Sequence, residues 1–245
     1  MTRYKLTIEY DGTGFVGWQR QANGLSIQEA LETAVEQFCG ERVTIHAAGR
    51  TDAGVHALGQ VAHVDIAKDT RPDTVRDAIN YHVKPHLVAV LEVEVVNGTF
   101  HARFSARERA YRYRVFNRRA PLTVERGRAW HVQPPLDLNA MQAGAAHLVG
   151  RHDFSSFRAA ECQADSPVKT LDVLTLARIG EKIVVDARAR SFLHHQVRNI
   201  VGTLKLVGEG KWTPADVRRV LEAHDRREAG PTAPPDGLYL VEVVY

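Results

Sequence analysis

The chain has 245 residues, 44% hydrophobic and 25% charged, with a net charge of +3, enough for one large domain or two smaller ones that each bury a core. No apolar run approaches the roughly 20 residues of a membrane helix, and residues 1–5 lead straight into a strand-like run without an apolar signal core, so a cytoplasmic protein with no membrane partner is expected. Cys39 and Cys162 stand alone, without a Cys-x-x-Cys or His-Glu-x-x-His pattern, which excludes a disulfide framework and gives no support to a metal site.

Residues 3–10 alternate, with Tyr4, Leu6, Ile8 and Tyr10 on one face, as a half-buried strand does. Asp11-Gly12-Thr13-Gly14 turns the chain. Ser26-Ile27-Gln28-Glu29 reads as a capping box, with Glu29 reaching back to the cap. Ile27, Ala30, Leu31, Ala34, Val35 and Phe38 then recur at helical spacing up to Gly40. Two strands are predicted at 43–48 and 60–66. A short helix capped by Thr70 or Asp73 turns Val75 and Ile79 inward, and a strand covers 88–95. Strand, helix, strand, strand, helix, strand is the split β-α-β, or ferredoxin-like, order.

Between the second and third strands lies Gly49-Arg50-Thr51-Asp52-Ala53-Gly54-Val55-His56-Ala57. Glycines let backbone or ligand approach closely. A carboxylate held between them, with an arginine two residues before it, suits a nucleophile or a base. The same residues also fit an Asx turn, and spacing alone favours that reading.

A second round begins at 105–116, where Tyr111, Tyr113 and Val115 share one face and Arg112 and Arg114 the other. Asp137 caps a helix carrying Leu138, Met141, Ala145, Leu148 and Val149 inward. A long polar loop is predicted over 150–167, then a hairpin of 168–177 and 182–189 turning at Gly180. A helix follows over 192–207, another starts at Thr213-Pro214, and a strand closes the chain from 238 to 245. The expected fold is α/β of the α+β type. Its two ferredoxin-like halves, 1–104 and 105–245, have mixed, mainly antiparallel sheets forming a central cleft.

The chain has 25 Arg against 7 Lys, and nine of the arginines fall between Phe100 and His131 with only Glu108 and Glu125 to oppose them. Interleaved with Phe100, Phe104, Tyr111, Tyr113 and Phe116, this excess is the footprint of a nucleic-acid partner. His194, Arg198 and Gly202 at i, i+4 and i+8 share one helical face. Arg198, at the border of the apolar stripe, needs a carboxylate, and Asp52 is a candidate; a snorkelling surface arginine fits equally. His194 and His195, adjacent on that predicted helix, would point to different sides, so joint chelation is not expected.

Gly49–Ala57 resembles the active-site motif of the TruA family of tRNA pseudouridine synthases. Five further stretches resemble that family in the same order along the chain: 10–21, 100–113, 153–158, 194–202 and 237–241. The resemblance implies a cofactor-free isomerase that turns uridine into pseudouridine at positions 38, 39 and 40 of the tRNA anticodon stem-loop. By similarity Asp52 is the catalytic carboxylate (nucleophile), Arg198 its basic partner, Tyr111 the tyrosine that stacks on the target base, and Arg50 the support for the flipped-out nucleotide. Phe100, His101, Ala102, Arg103, Phe104, Arg119, Phe157 and Arg158 match RNA-contacting segments, and a homodimer is implied. At 81–85 the chain departs from the family's usual small residue and Leu-Pro. The competing readings are a tRNA-binding or chaperone module without chemistry, and a glycosidase-like hydrolase. The latter needs two carboxylates about 5–10 Å apart, whereas the sequence neighbours of the loop, Glu41 and Asp65, flank its strands.

Overall fold

The computed structural model describes residues 1–245 and divides into two compact units, Met1–Arg107 with Tyr239–Tyr245, and Glu108–Leu238. The first unit begins with β1 (Thr2–Tyr10), α1 (Ile27–Cys39), β2 (His46–Ala47), β3 (His56–Ile66), α2 (Pro72–His82) and β4 (Val88–Val96). β1 lies between β3 and β4, antiparallel to both, and β2 pairs antiparallel with β3. This is the predicted split β-α-β order. The register sets Tyr4 opposite Val64, Leu6 opposite Ala62 and Ile8 opposite Gln60, so these share one face, while Arg3, Lys5, His63 and Asp65 share the other.

α1 forms as its sequence dictates. Ser26 Oγ accepts the Glu29 N–H at 3.1 Å, and Gly40 closes the helix at φ 76°. The reciprocal half of the predicted capping box does not form, because the Glu29 carboxylate pairs with Arg20 at 3.3 Å. α2 starts without a side-chain cap: Arg71 holds the cap position and Pro72 follows it. Proline has no N–H to satisfy there, so neither Thr70 nor Asp73 is needed. The predicted strand at 43–48 shrinks to β2, since the Glu32 carboxylate takes the Ile45 N–H at 3.0 Å. The alternation expected of β3 gives way to burial on both faces. The segment 98–104 covers its second face: Arg3 donates to Gly98 O at 2.7 Å and Phe100 O at 2.8 Å. The outer edge of β4 is blocked at Val90, whose N–H and C=O both bond the Asn80 amide, at 2.7 and 2.8 Å.

The second unit contains β5 (Glu108–Asn117), β6 (Trp130–Val132), α3 (Leu138–Ala146), β7 (Gly150–Asp153), β8 (Val168–Ile179), β9 (Lys182–Ala189), α4 (Gln196–Gly208) and α5 (Pro214–Ala223). Its strand order is β5-β9-β8-β7, antiparallel throughout, with β6 parallel to β5. Tyr113 opposite Val185 and Val115 opposite Ile183 form the buried face, and Arg112 opposite Asp186 forms an ion pair at 2.7 Å on the other. β10 (Leu238–Val244) then returns to the first unit and pairs in parallel with β3 through Tyr239–His56 and Leu240–Ala57.

Three expectations for this unit change. The predicted loop over 150–167 contains β7 and a 3₁₀ turn at Ser155–Phe157. β7 reads Gly-Arg-His-Asp, too polar to carry an apolar alternation. Val149 lies beyond the end of α3 and is exposed. α4 begins at Gln196, not at Phe192, because His195 takes a left-handed conformation, φ 61°. The i, i+4 relation of His194 to Arg198 therefore does not hold; the His194 and His195 rings lie outside the helix, their centroids 4.0 Å apart. No helix is long and apolar enough to cross a membrane.

Candidate active site

Asp52 is half-buried on the loop that leads into β3. Its backbone is gripped on several sides. Its own carbonyl accepts the Val55 N–H at 3.1 Å, and the Thr51 carbonyl accepts the Trp18 N–H at 3.0 Å. Two glycines let the 11–18 turn close on it. A Cβ on Gly12 would lie 2.1 Å from Val55 O, and one on Gly17, whose φ is +108°, 2.7 Å from Thr51 O. Only glycine fits such contacts. His56 follows the loop, buried and stacked on Tyr239 with centroids 4.7 Å apart, and its Nδ1 accepts the Gly12 N–H at 3.0 Å. Arg50 is exposed beside the loop. A fixed backbone with a partly open carboxylate is what nucleophilic or general-base chemistry needs.

Tyr111 and Arg198 lie in the second unit. Tyr111 is partly exposed on β5, its ring edge-on to Phe192 at 5.1 Å. Arg198 lies on the first turn of α4, partly buried, and its Nε donates to Ala233 O at 2.8 Å. Ala233 N–H returns a bond to Arg198 O at 3.1 Å. A dense polar network supports that segment. Arg226 donates to Gly230 O at 2.9 Å, Asn199 Oδ1 at 3.1 Å and Thr232 Oγ1 at 3.0 Å, while the Gly230 N–H donates to Thr203 Oγ1 at 3.0 Å. Sequence reasoning missed Arg226; its only local signal is one more charge in the acid- and arginine-rich run 225–228.

Residues 100–104 project from the first unit on a histidine cluster. His63 stacks on His46 at 5.1 Å and meets His101 edge-on at 4.7 Å. The His63 Nδ1 accepts the Ala102 N–H at 3.1 Å. Phe104 is 74% exposed, with the His101 ring 4.3 Å and the Arg103 guanidinium 5.7 Å from its ring centroid, an exposed aromatic and cationic surface of the kind that meets nucleic acid. Burial, then the cationic neighbours His101, Arg3 and His46, push the His63 imidazole down to about 4, against a smaller opposing pull from Asp65. The fold thus favours neutral His63. Its stabilisation is complete above about pH 6.5, the ordinary histidine value, and is lost as pH falls from there toward the folded value. The urea midpoint of the wild type is expected to fall between about pH 7 and pH 5, and His63→Gln to flatten that dependence; equal slopes in both proteins would remove His63 as the cause.

The other candidates separate by burial. Arg119 is exposed. Ala102 and Phe157 have no exposed surface, so their side chains hold their segments and do not present a face to a ligand. Arg158 donates to Cys162 O at 2.6 Å and Ala164 O at 2.9 Å, closing its own loop. Part of the arginine excess is also structural. Arg109 is buried and donates to Arg190 O at 2.7 Å, and Arg112 and Arg118 pair with Asp186 and Glu181 at 2.7 and 2.9 Å. The two carboxylates flanking the Asp52 loop in sequence are committed elsewhere. Asp65 is bound by Arg3 at 2.7 Å, and Glu41 accepts the Ala67 and Lys68 N–H groups at 2.8 and 2.9 Å.

A family model described as tRNA pseudouridine synthase matches residues 6–105 and 145–245 of the chain. A tRNA pseudouridine synthase A of Paramagnetospirillum magneticum is 64% identical over 245 residues, spanning all of this chain and 96% of that relative. The proteins of the same name from Rhodospirillum centenum and Parvibaculum lavamentivorans are 63% and 58% identical, each over the full length of both chains.

Proposed function

The chain belongs to the TruA family of tRNA pseudouridine synthases, and from that membership we propose that it acts on the anticodon arm of tRNA, converting uridine to pseudouridine at positions 38, 39 and 40. The activity is an isomerisation. The C1′–N1 bond breaks, the base turns, C1′ bonds to C5, and the C5 proton leaves while N1 gains one. Atoms and electrons balance without an external oxidant, reductant or group donor.

Asp52 is the proposed carboxylate acting at the sugar, with Arg198 as the cation that keeps it ionised. A uridine within a stem must leave the stack before chemistry begins. Tyr111 supplies an aromatic face for the extruded base, and Arg50 supports the flipped-out nucleotide. Exposed Arg103, Arg119 and Phe104 supply phosphate contacts and stacking that do not read sequence. The observation that carries the reading is the Asp52 loop: its backbone is fixed by close glycine contacts while the residue stays partly exposed. A homodimer and a cytoplasmic location, where tRNA is modified, complete the proposal.

The test is carbodiimide mapping of an unmodified tRNA transcript incubated with the wild-type protein. Reverse-transcription stops confined to positions 38–40 are expected. Pseudouridine elsewhere would overturn the position assignment, and tight binding with no pseudouridine would return the chain to a binding module. The hydrolase alternative is disfavoured by the engagement of Asp65 and Glu41, and free uracil in the reaction mixture is its distinguishing product.

A further inference from the structure

Three buried polar side chains brace the Asp52 loop from beneath. The Tyr10 hydroxyl and Thr51 Oγ1 are 2.8 Å apart, both buried. Gln60 Nε2 donates to Gly49 O at 2.8 Å and lies 3.5 Å from the Tyr10 hydroxyl. Gln60 has no exposed surface, and its Oε1 has no hydrogen-bond partner. The bond to Gly49 O fixes this orientation, since the flipped amide would set oxygen against oxygen. An unpaired buried carbonyl costs about 1–3 kcal/mol. By register Gln60 stands opposite Ile8, on the face shared with Leu6 and Ala62, where an aliphatic side chain would serve packing better. Packing therefore does not account for Gln60. What it does account for is the height of the loop: Gly49 is tied to β3 through Gln60, and Thr51 to β1 through Tyr10. Both ties lie on the N-terminal side of Asp52, and the Val55 N–H holds the Asp52 carbonyl on the other. Burial pushes the Tyr10 hydroxyl up to about 12, so it stays protonated and acts as a strut, not as an acid or base.

We propose that Tyr10, Thr51 and Gln60 are positioning residues for Asp52, holding its carboxylate at the sugar of the bound nucleotide. The proposal rests on the reading of Asp52 as the catalytic carboxylate. An error of about 1 Å in a reacting group lowers rates on the order of a hundredfold. Removing one tie leaves the other in place, so a smaller effect follows.

The experiment compares single-turnover pseudouridine formation, tRNA affinity and melting temperature for Tyr10→Phe, Thr51→Val, their double variant and Thr51→Ser, with Asp52→Asn alongside. Tyr10→Phe and Thr51→Val each remove only a hydroxyl or its equivalent. Each is expected to lower the rate about tenfold with affinity unchanged. The double variant is expected to be no slower than the singles, because both break the same contact. Thr51→Ser keeps the hydroxyl and is expected to restore the rate. Rates within about twofold of wild type with Asp52→Asn inactive would overturn this proposal alone. Additive losses that follow melting temperature, with Thr51→Ser as slow as Thr51→Val, would reduce Tyr10 and Thr51 to ordinary core and overturn the proposal. Wild-type turnover by Asp52→Asn would overturn the reading of Asp52 and this proposal with it.

Discussion

Asp52→Asn is expected to lower pseudouridine formation by at least about a thousandfold, roughly 4 kcal/mol of transition-state stabilisation, while tRNA affinity stays within about threefold of wild type. Asparagine keeps the shape and much of the hydrogen bonding of aspartate. It has neither the charge nor the nucleophilic oxygen on which any carboxylate route at C1′ depends. The loop itself is not put at risk, because its tethers are backbone and neighbouring side chains: Val55 N–H on the Asp52 carbonyl, Trp18 N–H on the Thr51 carbonyl, and Tyr10 on the Thr51 hydroxyl. The proposed phosphate contacts lie on other residues, so binding and chemistry are expected to separate. The measurement is single-turnover kinetics with a tRNA carrying labelled uridine, beside filter binding. A variant that retains a tenth or more of the wild-type rate would dismiss the carboxylate from the reaction.

Much of this site was legible because motifs report local backbone needs. Gly12 and Gly17 lie in the turn that precedes the first helix, and both prove to be close-approach positions against the Asp52 loop. Helix α1 was readable from Ser26 to Gly40 because cap and periodicity agree. The hairpin turning at Gly180 was readable for the same reason, and that glycine has φ 59°. What was not legible is what depends on non-local contact. Nothing in the local pattern of 238–244 says that it returns to pair in parallel with β3, setting Tyr239 beside His56. Nor does the local sequence say that the Phe157 side chain is fully buried. β7 is not legible because a glycine and three polar residues at the end of a sheet carry no apolar alternation. The start of α4 was misplaced because a histidine in left-handed conformation has no composition cue. Gln60 did leave a trace: a polar side chain on the strand face that otherwise carries Ala62, Val64 and Ile66, the kind of local inconsistency that marks a functional site.

Gly202→Ala is expected to be the most destabilising single-methyl change in the second unit. Gly202 lies in α4, where alanine is intrinsically the better helix former by up to about 1 kcal/mol, so propensity alone predicts stabilisation. The structure predicts the reverse. A Cβ there would lie 1.7 Å from Pro231 O and 2.9 Å from Pro231 C, and both are backbone atoms that no rotamer change can move. The 229–233 segment must shift, and it is held to α4 by the Gly230 N–H on Thr203, by the Ala233 N–H on Arg198 O, and by Arg226, which bridges Gly230 O to Asn199 Oδ1. Overpacking of this kind costs about 3 kcal/mol or more, which for a chain of this size lowers the melting temperature by roughly 6–12 °C. Because Arg198 Nε is anchored on Ala233 O, the same displacement also moves the proposed partner of Asp52, and the turnover of the folded fraction falls with stability. Gly98→Ala is the control. It has ordinary backbone angles with nothing within 4 Å of a built Cβ, and its stability is expected to stay within about 0.5 kcal/mol of wild type. Thermal melts of the two variants side by side decide the matter. If Gly202→Ala melts within about 2 °C of wild type, less than the shift expected for 1 kcal/mol, then α4 and the 229–233 segment are not in the contact described, and the anchoring of Arg198 through Ala233 is lost with it.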